Sequence, residues 1–133
     1  MKLPTAPAII GATFAATLFA GAFAGPALAQ GGGGDVRAAG HCSTTSTWKL
    51  KAKPDDGRLQ IEMEVDSNRV GQKWAVSLTD NTVRIFAGNR VTTAPSGSFS
   101  VELRAANRAG TDRIVGTARN TVTGERCTGV VRI

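Results

Sequence analysis

The chain carries a single histidine, two cysteines and ten carboxylates, and their spacing limits the chemistry open to it. His41 directly precedes Cys42. A serine-type triad needs a histidine held between a nucleophile and a carboxylate, and no spacing here supplies one. A zinc centre needs three or four ligands, more than one histidine and a bonded cysteine pair can give. Asp55 and Asp56 are the only adjacent carboxylates, and they sit in Pro54-Asp55-Asp56-Gly57, where aspartate is favoured by local hydrogen bonding in a turn. Glu62 and Glu64 are two residues apart on one strand face, a pairing that glycosidases use across a cleft, but Lys49 and Lys51 face them. A charge-paired, solvated sheet is the expected outcome. These residues predict no enzyme activity, no cofactor and no metal site.

Cys42 and Cys127 bracket nearly all of the chain that follows an apolar leader. Residues Met1 to Ala29 read as a secretory signal peptide. Lys2 is the only charge before the apolar stretch Ala8 to Ala24, Pro26 breaks any helix, and Ala27-Leu28-Ala29 places small residues where a signal peptidase reads. An uncleaved membrane anchor is the alternative. The run is about 17 residues and is diluted by Gly11, Thr13, Thr17 and Gly21, marginal for a span. Export implies an oxidising compartment, and an even pair of cysteines there implies one intramolecular disulfide. Free thiols or links between chains are the alternatives. Closing a loop of about 85 residues contributes roughly 4–5 kcal/mol in the chain-entropy account.

The elements that must position these residues follow a period of two. Trp48, Leu50 and Ala52 alternate with Lys49, Lys51 and Lys53, and Leu59, Ile61, Met63 and Val65 alternate with Gln60, Glu62, Glu64 and Asp66. With Pro54 to Gly57 as a four-residue loop, Lys53 faces Arg58, Leu50 faces Ile61, Trp48 faces Met63 and Lys49 faces Glu62. A second hairpin turns at Asp80-Asn81, setting Leu78 opposite Val83 and Val76 opposite Ile85, with Phe86 on the outer side. Phe99, Val101, Leu103 and Ala105 give a fifth strand. Ile114, Gly116 and Ala118 give a sixth, and Cys127, Gly129, Val131 and Ile133 a seventh. Trp48 and Trp74 fall on core rows, with the small Gly116 and Ala118 leaving room for an indole. Short strands at this spacing predict an all-β fold, a seven-stranded antiparallel sandwich. Residues 30–40, with Gly31 to Gly34, are expected to form a flexible arm before a single domain over 41–133.

From Ser43 to Ile133 the chain resembles the immunoglobulin-like and fibronectin-type-III-like sandwiches. The resemblance rests on the seven strands and on the stretch from Ala109 to Asn120, which looks like the sixth strand of many bacterial members. The stretch Trp48-Lys49-Leu50-Lys51-Ala52-Lys53-Pro54-Asp55-Asp56-Gly57 is also similar to one in a group of small exported actinobacterial proteins. The cysteines depart from the antibody pattern, since they stand at the first and last strands and not at the second and sixth. In such sandwiches those two strands often run parallel and adjacent, which makes a Cys42–Cys127 bridge geometrically reasonable.

Sixteen basic residues stand against ten acids, for a net charge of +6, and removing Lys2 with the leader still leaves a clear positive excess. Such an excess favours anionic partners. One sheet, of the first, second and fifth strands, has a mixed outer side. The other, of the third, fourth, sixth and seventh strands, has an outer side that includes Lys73, Arg84, Phe86, Arg113, Val115, Arg119, Val130 and Arg132, with no acid. Arginine around exposed apolar side chains is a recurring interface composition. The expectation is therefore a secreted, monomeric, non-enzymatic binding module. Its partner is an anionic cell-envelope polymer or a protein. No specific nucleic-acid contact is expected, since aromatic stacking residues are scarce. No membrane span is expected after leader removal. An inhibitor of extracellular proteases, acting through the loop Asn89 to Gly97, is the alternative.

Overall fold

The computed structural model describes residues 34–133; the leader and the glycine run before residue 34 lie outside the described residues. Eight strands follow in order: β1 (Val36–His41), β2 (Thr47–Asp55), β3 (Arg58–Asp66), β4 (Lys73–Asp80), β5 (Val83–Val91), β6 (Ser98–Ala106), β7 (Arg113–Asn120) and β8 (Arg126–Arg132). They form two antiparallel four-stranded sheets, ordered β1-β2-β3-β6 and β5-β4-β7-β8. The partition of the seven expected strands between sheets is the one the alternation implies. The eighth strand is β1, where a flexible arm was expected. Arg37 pairs with Lys51 and Gly40 with Trp48, so residues 36–40 extend the first sheet. No helix among the described residues is long and apolar enough to cross a membrane.

The period-two rows meet between the layers. Leu50, Ala52, Leu59, Ile61, Met63, Val65, Trp74, Leu78 and Ile114 are fully buried there. Each buried aliphatic side chain of this size contributes about 1.5–3 kcal/mol relative to exposure. Trp74 packs its ring 6.2 Å from Phe99 in a tilted arrangement. Trp48 sits at the side of the sandwich, and its indole is accommodated by glycines other than the expected one. A Cβ at Gly129 would lie 2.5 Å from the indole, and one at Gly40 2.8 Å from it. Gly116 instead opposes Met63 and Leu78.

Both hairpin registers differ from expectation while keeping most faces. In β2–β3 the loop is Asp56-Gly57 alone, with φ of 50° and 74°, so Asp55 pairs with Arg58. Two positive-φ residues match the right-handed twist of a tight hairpin, and Asp-Gly supplies them at low cost. The shift is two residues, so Leu50 pairs with Met63, Trp48 with Val65 and Lys49 with Glu64, and every side chain stays on its predicted side. Pro54 becomes a strand residue beyond the last pairing of β1, at Ala52, where no neighbouring strand is present to use an N–H.

In β4–β5 the loop is Asn81-Thr82, one residue later than expected. Asn81 is clamped onto the start of β7: its Oδ1 accepts the Arg113 N–H at 2.9 Å and its own N–H donates to the Arg113 carbonyl. Asp80 thereby remains in β4, on the buried row. Between Leu78 and Thr79 the register slips by one residue opposite Ile85. This bulge has a consequence for the outer face, below.

The cysteines form the expected bridge. Cys42 follows β1 and Cys127 lies in β8, with Cα atoms 4.3 Å apart. β1 and β8 are the edges of different sheets, so the disulfide joins the layers at one side of the sandwich. The same junction carries the Ser43 N–H to the Arg126 carbonyl at 2.8 Å, and the Arg126 N–H to Ser43 Oγ at 2.9 Å.

Candidate functional site

The outer face of β5-β4-β7-β8 is built from cross-strand rows. Asn89, Ala75, Arg119 and Arg126 form one row, and Ala87, Ser77, Thr117 and Thr128 the next. Arg84, Thr79, Val115 and Val130 form the third, and Arg113 and Arg132 close the β7–β8 end. Lys73 stands exposed at the start of β4, opposite Val91. The strand period alone brings Lys73, Arg84, Arg113, Val115, Arg119, Val130 and Arg132 to one side, as the alternation predicted. Val115 and Val130 are half-buried against each other, and the cations are exposed.

Phe86 does not belong to this face. With Ile85 taken up by the bulge, Phe86 pairs with Leu78 on the core-facing side and packs against the core. The Arg90 guanidinium lies over its ring, 5.0 Å from the centroid. Arg84 precedes the slip, pairs with Thr79 and keeps its outward direction. A residue the sequence reading missed joins instead. Arg126 opens β8 one residue before the expected start, and continues the outward row of Thr128, Val130 and Arg132. The signal was the alternation itself, carried one step back from Cys127.

All ten carboxylates lie off this face. Asp55, Glu62, Glu64, Asp66 and Glu102 are on β2, β3 and β6, while Asp35 precedes β1 and Asp56 is in the β2–β3 turn. The other three, Asp80, Asp112 and Glu125, are buried. The ion pairs of the described residues join Asp35 to Arg37 and Lys51, Asp55 to Arg104, and Asp80 to Arg108. None uses a cation of the second sheet's outer face. The two outer faces are therefore electrostatically unlike. On the first sheet Lys49 pairs across from Glu64 and Lys51 from Glu62, which cancels charge locally. The depression there, about 550 Å³, is lined by these same lysines and glutamates together with Arg37. On the second sheet a depression of about 360 Å³ is lined by Arg84, Arg119 and Arg126 around Ser77, Thr117 and Thr128, with no acid. Ser77 Oγ and Thr117 Oγ1 are hydrogen-bonded at 2.7 Å in its floor. Guanidinium groups around hydroxyl donors suit an anionic ligand.

The buried acids serve the frame. Glu125 accepts the Thr44 and Ser46 N–H groups at 3.1 and 2.9 Å and the Ser46 hydroxyl at 2.7 Å. Burial alone would raise its pKa, but these hydrogen bonds from Thr44 and Ser46 outweigh it and hold the carboxyl down at about 2. At the opposite end of β7, burial and then the neighbouring Asp112 push Asp80 up to about 6, against the lowering influence of Arg108. Arg108 Nε lies 3.5 Å from Asp80, and its backbone N–H donates to the Asp112 carboxylate.

The segment from Asn89 to Gly97 is held at both ends. Asn89, Arg90 and Val91 finish β5. Thr92 is buried, donates its N–H to the Gln72 carbonyl and takes the Gln72 N–H on its hydroxyl at 2.9 Å. Thr93 and Ser98 bridge, so the exposed tip shrinks to Ala94-Pro95-Ser96. His41 is exposed at the end of β1. No protein-family model matches the chain, and no curated protein is similar to it.

Proposed function

We propose that the protein is a secreted, non-enzymatic binding module of immunoglobulin-like or fibronectin-type-III-like architecture, and that it engages an anionic partner at or outside the cell envelope through the outer face of β5-β4-β7-β8. The observation that carries this reading is the complete separation of charge. Six exposed cations, Lys73, Arg84, Arg113, Arg119, Arg126 and Arg132, share one face with no carboxylate, although the chain has ten. A surface needed only for solubility works with interspersed signs, and the first sheet shows that pattern. The strand order β2-β3-β6 against β5-β4-β7-β8 supports the sandwich resemblance. The leader sequence and the Cys42–Cys127 bridge support export, since such bonds persist in oxidising compartments.

The test is capture from cell envelope and culture medium at two salt concentrations, with wild type and an Arg84→Glu/Arg113→Glu variant. Salt-sensitive retention that the variant abolishes while staying folded is the expected result. Unchanged retention by the variant rejects the reading.

A further inference from the structure

The cations of the face are not evenly spread. β7 and β8 set Arg113 directly opposite Arg132, and Arg119 directly opposite Arg126. All four are exposed and none has an acidic partner among the described residues. Like charges directly opposite on paired strands are destabilising. A ribbon that bears two such pairs, one at each end, carries a repulsion that solubility does not require and that a bound anion would relieve. Between the pairs lie Val115 opposite Val130 and Thr117 opposite Thr128, an uncharged floor. Arg113 and Arg119 are six residues apart in one strand, which places the two pairs roughly 20 Å apart.

We propose that the β7–β8 ribbon is a two-clamp site for a linear, base-free phosphodiester polyanion. Each arginine pair grips one phosphate, and the chain between them crosses the valine–threonine floor. This rests on the reading of the acid-free face as the binding face. Three features select the ligand class. The clamps are all guanidinium, whose planar fork matches phosphate oxygens in pairs, where lysine would supply only a point charge. The separation of the clamps demands a ligand with charges far apart on one chain. The outer face of this sheet presents no aromatic side chain, Phe86 being turned to the core, so it offers no platform for stacking bases. The depression at the Arg119–Arg126 end, which Arg84 also borders, is the more enclosed clamp.

Inorganic polyphosphate is the probe, titrated calorimetrically into the leader-free chain. Long-chain polyphosphate is expected to bind one per protein, and tripolyphosphate, too short to reach both clamps, two per protein and more weakly. Arg119→Ala/Arg126→Ala and Arg113→Ala/Arg132→Ala should each weaken the long chain at least tenfold and leave one tripolyphosphate site. Each double variant should also flatten the salt dependence, lowering its log–log slope by roughly 1.4 if two phosphate contacts are lost. Because each variant relieves repulsion, its thermal midpoint should not fall, which separates lost binding from lost fold. Equal affinities for long and short chains would overturn the proposal, as would a loss no greater than that of Lys49→Ala/Lys51→Ala. Tighter binding of a single-stranded oligonucleotide with the same number of phosphates would overturn the base-free assignment. Should envelope capture depend on Arg84 and Arg113 while polyphosphate fails to bind, the face reading stands and the phosphodiester proposal falls. Should neither hold, both fall.

Discussion

Ser46 donates both its backbone N–H and its hydroxyl to the buried Glu125 carboxylate, and so ties the segment after Cys42 to the start of β8 beside the disulfide. The hydrogen bonds require the ionised form. The carboxyl titrates near 2 when folded against 4.5 as the ordinary value, so this stabilisation is complete above 4.5 and is lost as pH falls toward 2. Glu125→Gln should therefore lower stability at pH 7 by about 1.5–3 kcal/mol, with the gap from wild type closing toward pH 2. Urea denaturation across pH reads this, and a gap that stays constant with pH would refute it.

Asp80 has the opposite sign. Its folded pKa of about 6 lies above the ordinary 3.8, so the folded state binds the proton more tightly. The stability tied to that proton is present below 3.8 and is lost as pH rises through 6. Neither carboxylate oxygen of Asp80 has a hydrogen-bond partner. Asp80→Asn removes a buried charge at nearly constant shape, and is expected to be more stable than wild type at pH 8 and equal to it below pH 4. The same denaturation series measures it. A variant weaker than wild type at pH 8 would show that the Arg108 contact outweighs burial.

The face partition was readable because a period of two fixes which side each residue takes, whatever its partner. The partners were not readable. The two possible β2–β3 registers differ by two residues and place Trp48, Leu50 and Ala52 on the same side, so hydrophobic pattern cannot choose between them. The turn chemistry of Asp56-Gly57 does choose. Phe86 was misplaced because Val83, Ile85 and Ala87 alternate without interruption, and the bulge opposite Ile85 leaves no mark in that pattern. β1 was hidden for another reason. Val36-Arg37-Ala38-Ala39-Gly40 has one large apolar side chain, and what makes it a strand is tertiary: pairing to β2, and the Trp48 indole lying over Gly40.

Two glycines of the inward rows should respond differently to an added methyl. At Gly129 the new Cβ would lie 2.5 Å from a rigid indole ring, wedged at the side of the sandwich. At Gly116 it would meet the Met63 sulfur at 2.7 Å, in a flexible side chain that can turn aside. Gly129→Ala is expected to cost about 1–3 kcal/mol, and Gly116→Ala less. Denaturant midpoints with tryptophan fluorescence compare them, and equal losses would contradict the packing described for Trp48.

The disulfide closes a loop spanning a sequence separation of 85. Replacing Cys42 and Cys127 together by alanine should lower stability by about 4–5 kcal/mol in the chain-entropy account, mostly through a freer unfolded chain. The Glu125 and Ser43 hydrogen bonds at the same junction should keep the fold intact, so circular dichroism at 25 °C should remain that of the wild type. Loss of the β spectrum in the double variant would show that these bonds cannot hold the β1–β8 edge alone.

The central claim is that position, and not net charge, makes the second sheet a binding surface. It is tested most directly by comparing two variants with the same change in charge, Arg119→Glu/Arg126→Glu and Lys49→Glu/Lys51→Glu, for retention on isolated cell envelope over a salt gradient. The account predicts that the arginine variant elutes at much lower salt than wild type, while the lysine variant stays close to it. Equal losses in the two variants, or a greater loss in the lysine variant, would contradict it.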